Sequence, residues 1–183
     1  MRRKLENMAG QDDLEQMIAG CKAGNGEAFE QLLDIYAKRC YGYFYRLTGN
    51  KAISDDLLSE LFVRLVVKIG SFKDGSFESW LFKVASNIFY DYLRGKQRQK
   101  KLLEGRKAQF ESAAVETGQS HDERLDELQR QLEKLDADTR ELIILRFYSQ
   151  LSFRELAKMR SEPIGTTLSK LHRGLEKLRK LME

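Results

Sequence analysis

A single proline, Pro163, occurs in 183 residues, so the chain almost lacks the residue that most strongly interrupts helices. Leu, Glu, Lys, Arg, Ala and Gln dominate, and runs of β-branched residues are scarce; straight side chains of this kind lose little freedom in a helix. The sequence therefore predicts an all-α protein. Its 42% hydrophobic and 33% charged content over this length suits one or two small cores. Two small helical domains joined by a flexible linker are expected, at 1–98 and 122–183 with the linker at 99–121, the second domain containing a helix-turn-helix.

Apolar periodicity divides the first part. Gln11 to Ala23 reads as a short helix with Asp12 as its cap, and Gly24-Asn25-Gly26 breaks it. Glu27 to about Leu47 follows, burying Phe29, Leu32, Leu33, Tyr36, Cys40, Tyr43 and Phe44. Thr48-Gly49-Asn50 ends that helix, and Ser54 caps another running to Ile69, with Asp55 and Asp56 in its first turn. Its core stripe is Leu58, Leu61, Phe62, Leu65 and Ile69. Leu57, Val63 and Val67 fall off the stripe, beside Asp56, Ser59 and Glu60, and such a mixed surface suits a protein partner.

The loop GSFKDG, with Phe72 at its centre, leads into a helix from Ser76 to about Gly95 whose inward face is Leu81, Val84, Ala85, Ile88 and Tyr92. Trp80, Lys83, Asn87, Asp91 and Arg94 line up along the other side. An aromatic and amide stripe with cations at hand stacks and hydrogen-bonds unpaired bases; the same spacing also suits a Trp80 that closes the core and an Asn87 that satisfies backbone groups. Residues 96–107 are basic and 111–120 are small, polar and mildly acidic, the composition of a flexible linker. Leu125, Leu128, Leu132 and Leu135 then restore helical spacing. Asp136-Ala137-Asp138 opens a further helix carrying Leu142, Ile143, Leu145 and Phe147.

Residues 151–181, LSFRELAKMRSEPIGTTLSKLHRGLEKLRKL, read as two helices and a tight turn. Ser152 can cap the first, with Phe153, Leu156 and Ala157 inward, and Pro163 suits the start of the second. There Leu171, Leu175, Leu178 and Met182 form an apolar face, and Lys170, Arg173, Lys177 and Lys180 a cationic one. Such a module reads duplex DNA with the first turns of its second helix. A basic hairpin that merely packs on the rest of the chain is the alternative.

The net charge of +4 and pI near 9.0 are only mildly basic, so a nucleic-acid surface must come from local clustering. Met1-Arg2-Arg3-Lys4 is followed by no apolar leader, and no run approaches the ~20 residues needed to cross a bilayer, so a cytoplasmic protein is expected. Cys21, Cys40, His121 and His172 show neither disulfide nor metal spacing. With no phosphate loop, ligand cluster or activated nucleophile, neither a cofactor, a metal nor an enzyme activity is expected.

Five segments, in order, carry a resemblance to the extracytoplasmic-function sigma factors: GNGEAFEQLLDIY at Gly24 to Tyr36, SDDLLSELF at Ser54 to Phe62, SFESWLFKVASNIFYDYLR at Ser76 to Arg94, LDADTRELIILRFYSQLSFRELA at Leu135 to Ala157, and GTTLSKLHRG at Gly165 to Gly174. The resemblance implies a factor that binds core RNA polymerase, at the clamp of the largest subunit and the flap of the second-largest, and directs it to promoter DNA. It implies docking through Asp55, Asp56, Ser59, Glu60 and Val63, and a single-stranded minus-ten element held by Phe72, Lys73, Asp74, Ser76, Trp80, Lys83, Asn87 and Arg94, with one base flipped into the loop. Ser152, Arg154, Thr166, Thr167, Ser169, Lys170, Arg173 and Lys177 would meet the duplex minus-thirty-five element, and an anti-sigma factor is an implied partner. Ser59 stands where the family has glutamine, Arg160 and Ser161 where it has leucine and glycine, and Thr167-Leu168 where it has valine and lysine. Leu168 could face a thymine methyl or the core. A free-standing helix-turn-helix regulator, dimeric on a palindrome, is the competing reading.

Overall fold

A computed structural model describes residues 2–104 and 123–182, and among them the chain is helical throughout its regular structure. The first part comprises α1 (Arg2–Lys22), α2 (Gly26–Thr48), α3 (Lys51–Lys68), a 3-10 turn at Ile69–Ser71 and α4 (Phe77–Glu104). The second comprises α5 (Glu123–Glu133), α6 (Ala137–Phe147), α7 (Phe153–Arg160) and α8 (Ile164–Met182).

Side chains write most of the boundaries. Asn25 caps α2 by accepting from the N–H groups of Glu27 and Ala28, and Gly49, at φ 64°, closes it in the left-handed conformation that glycine adopts without penalty. Asp136 caps α6 through the N–H of Thr139, and Ser152 forms a capping box with Glu155 at the start of α7.

Three boundaries differ from the periodicity. α1 begins at Arg2, which puts Asp12 inside the helix: Gly10 costs only about 1 kcal/mol there and does not stop it. α3 begins a turn before Ser54, because Asn50 accepts from the N–H of Ile53. Ser54 is buried instead, its hydroxyl donating to the Asn50 carbonyl at 2.6 Å. The buried stripe accordingly runs through Leu57, Leu61 and Leu65, while Leu58 and Phe62 are only half-buried. α4 continues past Gly95 to Glu104, so residues 99–104, placed in the linker by composition, are helix, with Lys101 suitably placed in the last turn. The rest of the expected linker and His121 lie outside the described residues.

The two parts share a core. α2 packs on α1, α3 and α4, and its remaining side receives α5 and α6, while α7 lies against α4. Tyr43, Phe44 and Leu47 of α2 and Phe82 of α4 are buried in one cluster with Leu142, Leu145 and Leu151. Close backbone approach makes this packing tight: a Cβ on Gly42 would lie 1.9 Å from the Tyr148 hydroxyl, and one on Gly49 2.1 Å from the Glu133 carboxylate. The Arg46 guanidinium lies 3.8 Å from the centroid of Tyr148, and Arg140 donates to the Leu47 carbonyl at 2.7 Å. Phe147 and Met182, expected in the core, are exposed, each being the last residue of its helix.

Cys21 and Cys40 are buried free thiols, and burial pushes the Cys40 thiol up to about 12. Among the described residues no His, Cys, Asp and Glu group could hold a metal ion, and no helix is long and apolar enough to cross a membrane.

Candidate nucleic-acid interface

The outer face of α3 is an acidic and apolar strip. Asp55, Asp56, Ser59, Glu60 and Val63 are all exposed at helical spacing. Val63 is 66% and Val67 78% exposed. Val66 extends the strip; it lies three residues after Val63, so periodicity alone contains it although sequence reasoning passed over it. Glu60 pairs with Arg64 at 2.5 Å, and Arg64 reaches across to Asp91 of α4 at 3.1 Å.

Beyond the 3-10 turn, Lys73, Asp74, Gly75 and Ser76 form an exposed loop, with Gly75 at φ 93° where a side chain would be strained. The Ser76 hydroxyl accepts the N–H of Ser79 and so caps α4. Phe72, expected to meet DNA, is buried: its ring packs edge-on against Phe77 at 5.4 Å and beside Trp80 at 5.6 Å. A wedge held on two sides supports the loop rather than offering a stacking face. Trp80 is half-buried, packing one side on Phe72 and Phe77. Lys22 of α1, another residue missed by sequence reasoning, places its ammonium 5.4 Å from the Phe72 centroid, at a cleft of ≈ 580 Å³ between α1 and the loop.

Along α4, Asn87 is exposed, and Lys83 donates to the Met159 carbonyl of α7 at 2.5 Å. Asp91 is held by Arg94 and Arg64, hydrogen bonds that keep its carboxyl below the usual range. The sequence stripe is thus continuous, but its lower end is internally paired.

In the helix-turn-helix, Ser161 ends α7 at φ 53°, the left-handed geometry that a glycine at this turn would take freely. The rotation of α8 answers the question left open at residues 167 and 168. Thr167, expected beside bases, is 0% exposed, and its hydroxyl donates to Glu162 at 2.9 Å, whereas Leu168 is 43% exposed. Thr166, Ser169, Arg173 and Lys177 are exposed, and Ile164 joins them one turn before Leu168. Lys170 is drawn aside by Glu162 at 2.6 Å. Burial pushes the Glu162 carboxyl up, but hydrogen bonds from Lys170 and Thr167 outweigh it and hold the group below its ordinary value. Arg154 is exposed, while the Ser152 hydroxyl is spent on its cap.

The two helical units, one with a cleft and an aromatic loop and the other a helix-turn-helix, match in order two regions of the Sigma-70 factors. Residues 32–99 match Sigma-70 region 2 and residues 125–178 match Sigma-70, region 4. The chain is 30% identical to the ECF RNA polymerase sigma factor SigW of Bacillus subtilis over 179 residues, covering 91% of this chain and 95% of that one. It is 31% identical to the RNA polymerase sigma factor CarQ of Myxococcus xanthus, covering 87% and 91%. The fold resembles the sigma factor RpoE of Bartonella quintana, solved with the anti-sigma factor NepR, at a TM-score of 0.71 and 28% identity over 84% of this chain and 96% of that one. The chain belongs to the ECF family of RNA polymerase sigma factors, non-enzymatic initiation factors that bind core polymerase and direct it to promoters. A free-standing dimeric regulator is not favoured, because both sigma regions are present in order.

Proposed function

We propose that the chain divides its task between its two parts, in the cytoplasm. The α3 strip of Asp55, Asp56, Ser59, Glu60, Val63 and Val66 docks on the polymerase clamp. The loop at 73–76 with Trp80, Lys83, Asn87 and Arg94 holds the single-stranded minus-ten element. The start of α8, with Thr166, Leu168 and Ser169 toward bases and Arg173 and Lys177 toward phosphates, reads the minus-thirty-five duplex, aided by Arg154. Contact of the second part with the polymerase flap and control by an anti-sigma factor complete the assignment; RpoE of Bartonella quintana was solved with the anti-sigma factor NepR.

The observation that carries the docking assignment is the uncovered acidic and valine strip, since three valines exposed beside carboxylates on a small domain call for a protein partner. Asp56→Arg with Val63→Arg should abolish co-purification with core polymerase while leaving the far-ultraviolet spectrum unchanged. Wild-type recovery of the double variant with core would move the docking surface elsewhere.

A further inference from the structure

The first two turns of α8 present apolar rather than charged groups to solvent. Ile164 and Leu168, one turn apart, are each 43% exposed, and Thr166 and Ser169 are exposed beside them. The cations nearest these turns are held by carboxylates. Lys170 lies 2.6 Å from Glu162 and 4.0 Å from Asp138, and Arg160, at the end of α7, pairs with Asp138, Glu141 and Glu162. The Ser169 hydroxyl donates to the Gly165 carbonyl at 2.9 Å, which leaves it an acceptor toward a base edge. In the major groove guanine is singled out by a bidentate cation, adenine by a bidentate amide and cytosine by a carboxylate. Residues 164–170 include no amide or carboxylate, and their one cation is the Lys170 held by Glu162. Thymine differs from the other three bases in its C5-methyl group, and an apolar side chain is what that group meets favourably.

We infer that Ile164 and Leu168 form a methyl-reading pair that selects thymine in the upstream element. At a rise of ~1.5 Å per residue the two stand about 6 Å apart along α8, against ~3.4 Å per base step, so the methyls they meet lie one or two steps apart. The pair faces DNA rather than a protein because positive charge surrounds it: Arg154 is exposed on α7, and Arg173 and Lys177 are exposed further along α8. Those cations suit phosphates, which position the helix, and leave discrimination to the apolar pair. Contact with a methyl also takes water off two aliphatic side chains that the fold leaves uncovered. The inference rests on the reading of α8 as the helix that enters the minus-thirty-five duplex.

The test begins with core polymerase carrying the full chain, which selects its upstream element from a randomised library. In the selected duplex each thymine is then replaced singly by deoxyuridine, which removes the methyl and keeps every hydrogen-bonding group. Affinity, measured by competition, should fall about fourfold at each position whose methyl is read, the effect of burying one methyl-sized group. These positions should lie no more than two steps apart. Leu168→Ala and Ile164→Ala should each erase the penalty at one of them, binding the thymine and uracil forms alike, whereas Leu168→Met, which keeps an apolar group, should retain it. A selected element without thymine, uracil tolerated at every position, or a penalty undiminished in either alanine variant would overturn the pair while leaving the α8 assignment standing. Equal losses on thymine and uracil duplexes from Leu168→Ala would overturn it as well, making the leucine a packing or polymerase-facing group. Affinity indifferent to the whole upstream sequence would instead defeat the α8 assignment itself.

Discussion

Substitution of Gly42 by alanine should change sign with its surroundings. Gly42 is buried in the interior of α2, where alanine is favoured over glycine by roughly 0.5–1 kcal/mol because it restricts the unfolded chain and shields the backbone. In the intact protein, however, the new Cβ would lie 1.9 Å from the Tyr148 hydroxyl oxygen and 2.6 Å from its ring carbon, far inside the ~3.5 Å of ordinary contact. Tyr148 must swing out, losing its stack with Arg46 and its hydrogen bond to the Lys38 carbonyl. The stack is worth about 0.5–2 kcal/mol and the hydrogen bond, long at 3.4 Å, adds little. The full chain should therefore be destabilised by up to about 1.5 kcal/mol, or be near neutral if the ring slides rather than leaves. With Tyr148→Ala already present, the same substitution should stabilise by about 0.5–1 kcal/mol. Urea unfolding of the four proteins, followed by circular dichroism, gives the coupling between the two sites, expected at about 1–2 kcal/mol. Equal stabilisation by Gly42→Ala in both backgrounds would refute the close packing of α2 against the second part.

Burial, and then Glu141, raise the Tyr43 and Tyr90 hydroxyls above the ordinary tyrosine value, and the neutral forms are the ones that can donate to Glu141. Stability from this source should be complete below the unfolded value of about 10 and fall as pH rises above it, so tyrosinate absorbance should climb together with expansion of the chain; an ordinary titration with no change in shape would count against the hydrogen bonds to Glu141. Leu168→Ala should alter the upstream sequences recovered from a randomised promoter selection, whereas Arg173→Ala should weaken all of them alike and lower the salt slope by about one unit; the reverse pattern would mean α8 is rotated in the groove. Ser161→Gly should raise stability by up to about 1 kcal/mol in thermal unfolding by relieving the left-handed backbone, and a loss would show that the Ser161 side chain contributes more than its strain costs.

Where a single local force decides, the structure follows the amino-acid pattern: the break at Gly24 to Gly26, the Ser152 and Asp136 caps, and the exposed face of α3 are of this kind. Ser54 and Asn50 are both good caps four residues apart, and only the burial of Ser54 against Thr48 selects Asn50. Thr167 and Leu168 are neighbours about 100° apart on a helix, so a polar residue turned inward is invisible until its partner Glu162 is located. The junction of the two parts was illegible for a different reason. Tyr43 and Glu141 stand 98 residues apart; periodicity puts Tyr43 inside, but Glu141 taken alone resembles an ordinary exposed helix residue, so the partner of the buried hydroxyl is invisible.

The continuation of α4 to Glu104 fixes how far the two parts can separate. Only residues 105–122 connect it to α5, and even fully extended those 18 residues reach no more than about 65 Å. Rebinding of the second part is therefore an intramolecular event at an effective concentration set by a short tether, independent of how much protein the cell contains. A modest interface suffices to shut such a molecule. Dilution cannot open it, whereas a competitor that holds one part away from the other can.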